Sequence, residues 1–141
     1  MTNFVAGFAA VAAGDPCPCG RGEAFASCCG AIHAGAPAPT AERLMRARYS
    51  AFVVGDVEFL LASWHPGTRP DASEFELEPD TKWLRLLVEA TELGGPFDQT
   101  GTVTFAAIGR TPEGRFEQRE HSRFLRGGDT GWQYVDGDSM D

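Results

Sequence analysis

Lysine is nearly absent from this chain. Lys82 stands alone beside 11 arginines, and the 12 basic residues face 20 acidic ones across 141 positions. The formal charge of −8 argues against general binding to nucleic acid or to an anionic membrane, because both repel an acidic surface. Long apolar runs are missing too: no stretch reaches the ~18 residues that a membrane span needs. No Lys or Arg precedes Arg21, although an export signal would carry a basic start. Residues 4–13 are apolar and small, and Ala12-Ala13-Gly14 matches a cleavage site only loosely. The expectation is a cytoplasmic chain with a flexible tail over residues 1–14. Also missing are a Gly-x-Ser-x-Gly elbow, a phosphate loop and a dinucleotide fingerprint, which excludes the commonest motif-borne chemistries.

What is present is a cluster. All four cysteines lie between Cys17 and Cys29, as Cys17-Pro18-Cys19-Gly20-Arg21-Gly22 followed by Cys28-Cys29-Gly30. Four soft thiolates so close together suit a tetrahedral Zn²⁺, with Zn–S bonds of about 2.3 Å. Pro18 stiffens the first pair. Gly20 and Gly22 permit the tight turn such sites need, and Phe25 can roof it. Disulfides compete with this reading, but they fit the vicinal Cys28-Cys29 pair poorly. A redox pair would favour Cys-x-x-Cys, which is absent. His33 is a further candidate ligand, yet four thiols already fill a structural site. A closed four-sulfur shell leaves no position for substrate, so the metal is expected to be structural.

Three zones follow: a tail over residues 1–14, the cysteine motif over 15–35, and one α+β domain over 36–141. Ala36-Pro37-Ala38-Pro39 joins the last two as a stiff linker. Thr40 caps a helix that runs to about Val54, and Gly55 stops it. Asp56 caps a second helix over residues 57–63. Residues 71–80 hold five acids and no base, and read as a solvated loop or short helical turn. Residues 82–92 are ambiguous in period and lean to strand. Strands over 101–108, 115–126 and 132–135, joined by Gly-rich turns, make an antiparallel meander. Helices followed by a meander can form a curved sheet wrapped on a helix, with a pocket at one end.

The cysteine segment resembles the SEC-C zinc motif, found at the end of the SecA translocation ATPase. Arg21 replaces the usual Ser at a position that is not a ligand. Residues 44–52 (Leu-Met-Arg-Ala-Arg-Tyr-Ser-Ala-Phe), Trp64-His65-Pro66, Ser122-Arg123-Phe124 and Trp132-Gln133-Tyr134-Val135-Asp136-Gly137 are similar to the YchJ-like family of bacterial proteins. The resemblance spans residues 15–137. It implies a SEC-C motif on a cone of the nuclear-transport-factor-2 (NTF2) type. It also implies contact with a protein or ribosome-associated partner, because the translocase motif serves such contacts.

Strand 115–126 alternates. Phe116, Gln118, Glu120, Ser122 and Phe124 share the face expected to point inward. Glu120 is thus a candidate general base in a cone pocket, with His65 as a possible helper and Trp64 or Trp83 as walls. The plainer reading ties Glu120 to Arg48, Arg85 or Arg123 as a buried pair. Spacing fixes no second acid, base or nucleophile, so the structural reading is favoured over a small-molecule-binding or enzymatic pocket. The other face carries Arg115, Arg119 and Arg123. It could meet an acidic partner or RNA, but cross-strand ion pairs are the favoured reading.

Overall fold

The computed structural model describes residues 8–127 and 131–140. Residues 1–7 of the tail and most of the turn before the last strand lie outside them. Helix α1 (Cys29–His33) belongs to the cysteine segment, and α2 (Ala41–Val54) and α3 (Val57–Ala62) follow. Strands β1 (Lys82–Leu93), β2 (Thr100–Thr111), β3 (Gly114–Gly127) and β4 (Gly131–Met140) complete the chain. They pair in the order β1-β2-β3-β4, every pair antiparallel.

The helix boundaries follow their capping residues. Thr40 Oγ1 accepts from the Arg43 N–H at 3.1 Å, and Asp56 Oδ1 accepts from the Phe59 N–H at 3.0 Å. Between them Gly55 takes φ 82°, a left-handed conformation that suits glycine, and ends α2. Acidic residues 71–80 form a largely exposed loop with one short turn, Ala72–Glu74.

The ambiguous segment is strand β1, which pairs with β2 along its length. Register shifts at Trp83/Arg85 and Val88/Ala90 give it the two irregularities that hid its period. The last strand is longer than the expected 132–135. Asp136 and Asp138 are poor strand formers by composition, but Arg123 of β3 holds both, at 2.6 and 2.9 Å. A bulge opposite Arg123/Phe124 keeps Tyr134 paired with Phe124.

Helix α2 lies against β1, β2 and β4. Leu44, Met45, Tyr49, Leu86, Val103, Phe105, Phe124 and Trp132 form the core between helix and sheet. The four cysteines and Ile32 belong to the same buried cluster. The tail is hydrogen-bonded where it is described: Ala9 N–H donates to Val53 O, and Ala13 O accepts from Ala26 N–H.

One close approach anchors α2 to the β1–β2 hairpin. Gly94 O accepts from the Ala41 N–H at 2.9 Å. A Cβ at Gly101 would stand 2.4 Å from the Gly94 Cα, which is backbone and has nowhere to go. Gly101→Ala is therefore expected to cost about 1–3 kcal/mol, as overpacking does. Thermal melts followed by circular dichroism should show a lowered Tm. Gly14→Ala, which meets nothing within 4 Å, should leave it unchanged. Equal melts for both variants would refute the packing account.

Candidate metal centre and aromatic cavity

The metal candidate is built on a short hairpin. Pro16 and Ala24 pair as an isolated antiparallel bridge, and Glu23 O accepts from the Cys17 N–H at 2.9 Å. Gly20 (φ 84°) and Gly22 (φ 94°) make the turn between them. The Phe25–Ser27 turn and α1 then bring Cys28 and Cys29 back beside Cys17 and Cys19. All four residues are buried, and their Sγ atoms lie within 4.8 Å of one another. Cys19 Sγ and Cys28 Sγ are 3.6 Å apart, too far for a disulfide and close to the ~3.8 Å edge of a tetrahedron with 2.3 Å metal–sulfur bonds. All four thiols are free.

The electrostatics of the cluster ask for a cation. Hydrogen bonds from Cys19 and then Cys29 pull the Cys17 thiol strongly down. The same bonds push the partners up. Cys19 rises to about 11, chiefly through Cys17, and Cys29 rises strongly, chiefly through Cys17 and then Cys19. Among these three, Cys17 holds negative charge at the expense of Cys19 and Cys29. A divalent ion among the four sulfurs would remove that competition. The donor set fits a soft or borderline metal.

His33 is not among the ligands. Its Nε2–H donates to the Ala47 carbonyl at 2.8 Å, and Nδ1 faces Asp56 at 3.9 Å. Its ring packs between Phe25 and Phe59. Phe25, itself in the cysteine segment, packs against the buried cluster. His33 therefore docks α1 on α2. Two further contacts do the same work. Arg46 Nη1 donates to Cys19 O at 2.7 Å, and Cys17 Sγ lies 3.7 Å from the fully buried Ser50 Oγ. Arg46 and Ser50 lie off the apolar stripe of α2, and the cysteine segment covers that face.

The opposite face of α2 lines a cavity of about 170 Å³. Met45, Arg48, Tyr49 and Phe52 come from α2, Trp64 from the segment after α3, and Trp83, Phe105 and Ala107 from β1 and β2. Gln118, Glu120 and Ser122 of β3 and Tyr134 of β4 complete it. The inward face of β3 is thus the one its alternation indicates.

Glu120 reaches the cavity, and both expected tryptophans line it. Its partners differ from those expected. Tyr134 Oη and Ser122 Oγ donate to Glu120 Oε2 at 2.8 and 3.0 Å. Arg48 shares the cavity without an ion pair to Glu120. Its Nη1 donates to Leu60 O at 2.8 Å and to Ser63 Oγ at 2.7 Å, and its guanidinium lies over Trp64 and Tyr134, 5.0 and 4.4 Å from the ring centroids. Burial pushes Arg48 down to about 10, against the opposing pull of Tyr134 and Glu120, so it stays protonated at neutral pH.

His65 is outside this cavity and cannot help Glu120. Its Nδ1 accepts from the Gly67 N–H at 2.9 Å, and its backbone N–H donates to Tyr134 O. It shapes the turn that ties α3 to β4. Arg123 lies on the opposite face of β3, bound to Asp136 and Asp138. Arg119 pairs with Glu89, so the Arg-bearing face carries cross-strand ion pairs.

Sequence reasoning missed Tyr134 and Gly137, although both sit in the Trp-Gln-Tyr-Val-Asp-Gly run. A Cβ on Gly137 would fall 1.7 Å from Glu120 Oε2, so the carboxylate occupies the space that a side chain would fill. Gly137→Ala is expected to cost about 1–3 kcal/mol in urea unfolding. In a Glu120→Ala background the cost should shrink below about 0.5 kcal/mol, because the clash has gone. An equal cost in both backgrounds would refute this placement.

The comparisons match both parts of the chain. A model described as the YchJ middle NTF2-like domain covers residues 40–137, and the SEC-C motif covers residues 15–31. A UPF0225 protein of Streptomyces coelicolor is 50% identical over 127 residues, 89% of this chain and 97% of that protein. One from Xanthomonas oryzae pv. oryzae is 52% identical over 124 residues, 86% and 93% of the two chains. The solution structure of a SEC-C motif containing protein from Rhodopseudomonas palustris superposes with a TM-score of 0.73 at 26% identity, covering 89% of this chain and 98% of that one. The crystal structure of one from Psychrobacter arcticus gives 0.67 at 27% identity, covering 89% and 82%. The NTF2-like cone expected from the motifs is therefore the fold of this chain. With both segments matched in order, and relatives of similar length sharing half its residues, the chain belongs to the YchJ-like, UPF0225 family.

Proposed function

We propose that Cys17, Cys19, Cys28 and Cys29 hold one structural Zn²⁺. The observation behind this is the cluster of four buried sulfurs within 4.8 Å of one another. The set is closed: His33 is committed to Ala47, so nothing leaves a position open for substrate. When bound, the metal supplies a cross-link between the start of the hairpin and the start of α1. The chain's own residues do the rest. Arg46, Ser50 and His33 fasten the knuckle to α2, and the sulfurs sit in the main core. Purified chain is expected to carry about one zinc, measured by elemental analysis. Chelation should lower the Tm sharply, since structural zinc contributes on the order of 10 kcal/mol. Cys28→Ser should lose the metal. Disulfides among these cysteines in freshly purified protein would overturn the reading.

The finer reading is an adaptor that offers the knuckle to a protein or ribonucleoprotein partner. The exposed turn Gly20-Arg21-Gly22-Glu23 supports it, because a metal on the flanking cysteines, with the Arg46 bond to Cys19 O, would hold that turn in one shape. Arg21 is the turn's cation. The Cys28 sulfur, and then Glu23 at 3.2 Å, hold its pKa above the usual guanidinium value. Arg21→Gln removes no sulfur and brings no negative charge beside Cys28. In a pull-down matched for zinc content, this variant should lose partners that the parent retains. An unchanged bound set would refute the adaptor reading.

A further inference from the structure

Arg48 and Glu120 line one cavity, carry opposite charges and form no ion pair with each other or with any other described residue. That arrangement is costly. Arg48 is only 3% exposed, and a buried guanidinium without a carboxylate partner normally finds one. Part of the cost is met by Leu60 O, Ser63 Oγ and the faces of Trp64 and Tyr134. The rest of both charges is open to the cavity, for none of their spare atoms is fully buried and Glu120 is half-buried. Arg48 Nε and Nη2 make no hydrogen bond among the described residues, and both side-chain donors to Glu120 go to Oε2, leaving Oε1 unused. The same wall holds Trp64, whose buried Nε1 also lacks a partner.

A cavity with one spare acceptor edge, spare donors and no net charge is complementary to a neutral group that both donates and accepts. The amide unit, with its N–H and C=O, is that group. The walls set the rest of the ligand. Tyr49, Phe52, Trp64 and Trp83 are flat surfaces that favour a planar ring. The volume of about 170 Å³ is close to that of an engineered protein cavity of ~150 Å³ that takes one benzene. Exposed Gln118 stands at the rim, which gives entry from solvent.

We propose that this cavity binds a neutral, planar, single-ring compound carrying an amide-type N–H/C=O edge, held between Glu120 and Arg48. The ligand N–H donates to Glu120 Oε1, and its carbonyl accepts from the guanidinium. The tyrosines do not compete for proton transfer. Burial raises Tyr49 to about 12, and burial with the neighbouring Glu120 holds Tyr134 well above its ordinary value, so both keep their protons. The cavity is therefore set for recognition of an uncharged molecule.

The test uses the full chain with its metal and three probes of one shape: benzamide, benzoate and benzamidinium. Fluorescence of Trp64 and Trp83 reports occupancy, and calorimetry gives the affinities. Benzamide should saturate and bind about tenfold more tightly than either charged probe, the penalty for one unmatched charge. Glu120→Gln leaves Arg48 as the only charge, so the order should change to benzoate over benzamide. Three results overturn the proposal: benzoate leading in the parent, which makes the cavity an anion site; benzamidinium leading, which makes it a cation site; or no saturation by benzamide. The ranking in the parent protein decides the matter even if Glu120→Gln fails to fold.

Discussion

Burial of four sulfur atoms against one helix constrains the rest of this protein. A helix on the surface of a small domain usually presents one apolar stripe and leaves the other side to water. Helix α2 cannot do so. Arg46, Ala47 and Ser50 receive the cysteine segment, while Met45, Arg48, Tyr49 and Phe52 face the sheet and the cavity. Residues three and four apart share a face, so the two sets interleave along the same few turns. What fixes the knuckle therefore also fixes one wall of the cavity. A shift of α2 that relieved the sulfur cluster would carry Arg48 away from Trp64 and Tyr134.

The cavity shows the same economy in its polar groups. Glu120, Ser122, Tyr134 and Gly137 form one unit across β3 and β4: two donors fill one carboxylate oxygen, and a missing Cβ makes room for it. The bulge opposite Arg123/Phe124 keeps Tyr134 at the cavity while Asp136 reaches Arg123 on the outer face. One strand irregularity thus serves the inner network and the outer ion pairs together. His65 contributes to this frame only through its backbone bond to Tyr134 and its turn, which explains why its place beside Trp64 in the chain does not make it a partner of Glu120.

Much of this was legible in the chain. Helix limits followed from Thr40, Gly55 and Asp56 because caps act locally. The sulfur cluster followed from cysteine spacing, and the inward set on β3 followed from strict alternation. What was not legible depends on contacts between distant segments. Ser50 and Arg46 look like surface residues until the cysteine segment lies over them. The length of β4 depends on Arg123 holding two aspartates. Glu120 was correctly turned inward, but its partners sit 2 and 14 positions away, across a bulge that no local pattern announces. Arg48 was foreseen only as a possible ion-pair partner, because sequence cannot show that carbonyls and ring faces have taken that role.

The outer surface bears on where any partner would dock. Arg119 and Arg123 spend their charge on Glu89, Asp136 and Asp138, so the richest basic strand offers less free positive charge than its composition suggests. Four thiolates with one divalent ion would take the formal charge from −8 to −10, which sharpens the acidity of the whole. Arg21 then gains in weight. It stands beside the sulfur cluster on an exposed turn, where a buried anionic centre concentrates field on the surface above it. A partner drawn to this face would meet a guanidinium held over a negative core, a pattern that favours a specific docked geometry over loose attraction to a polyanion.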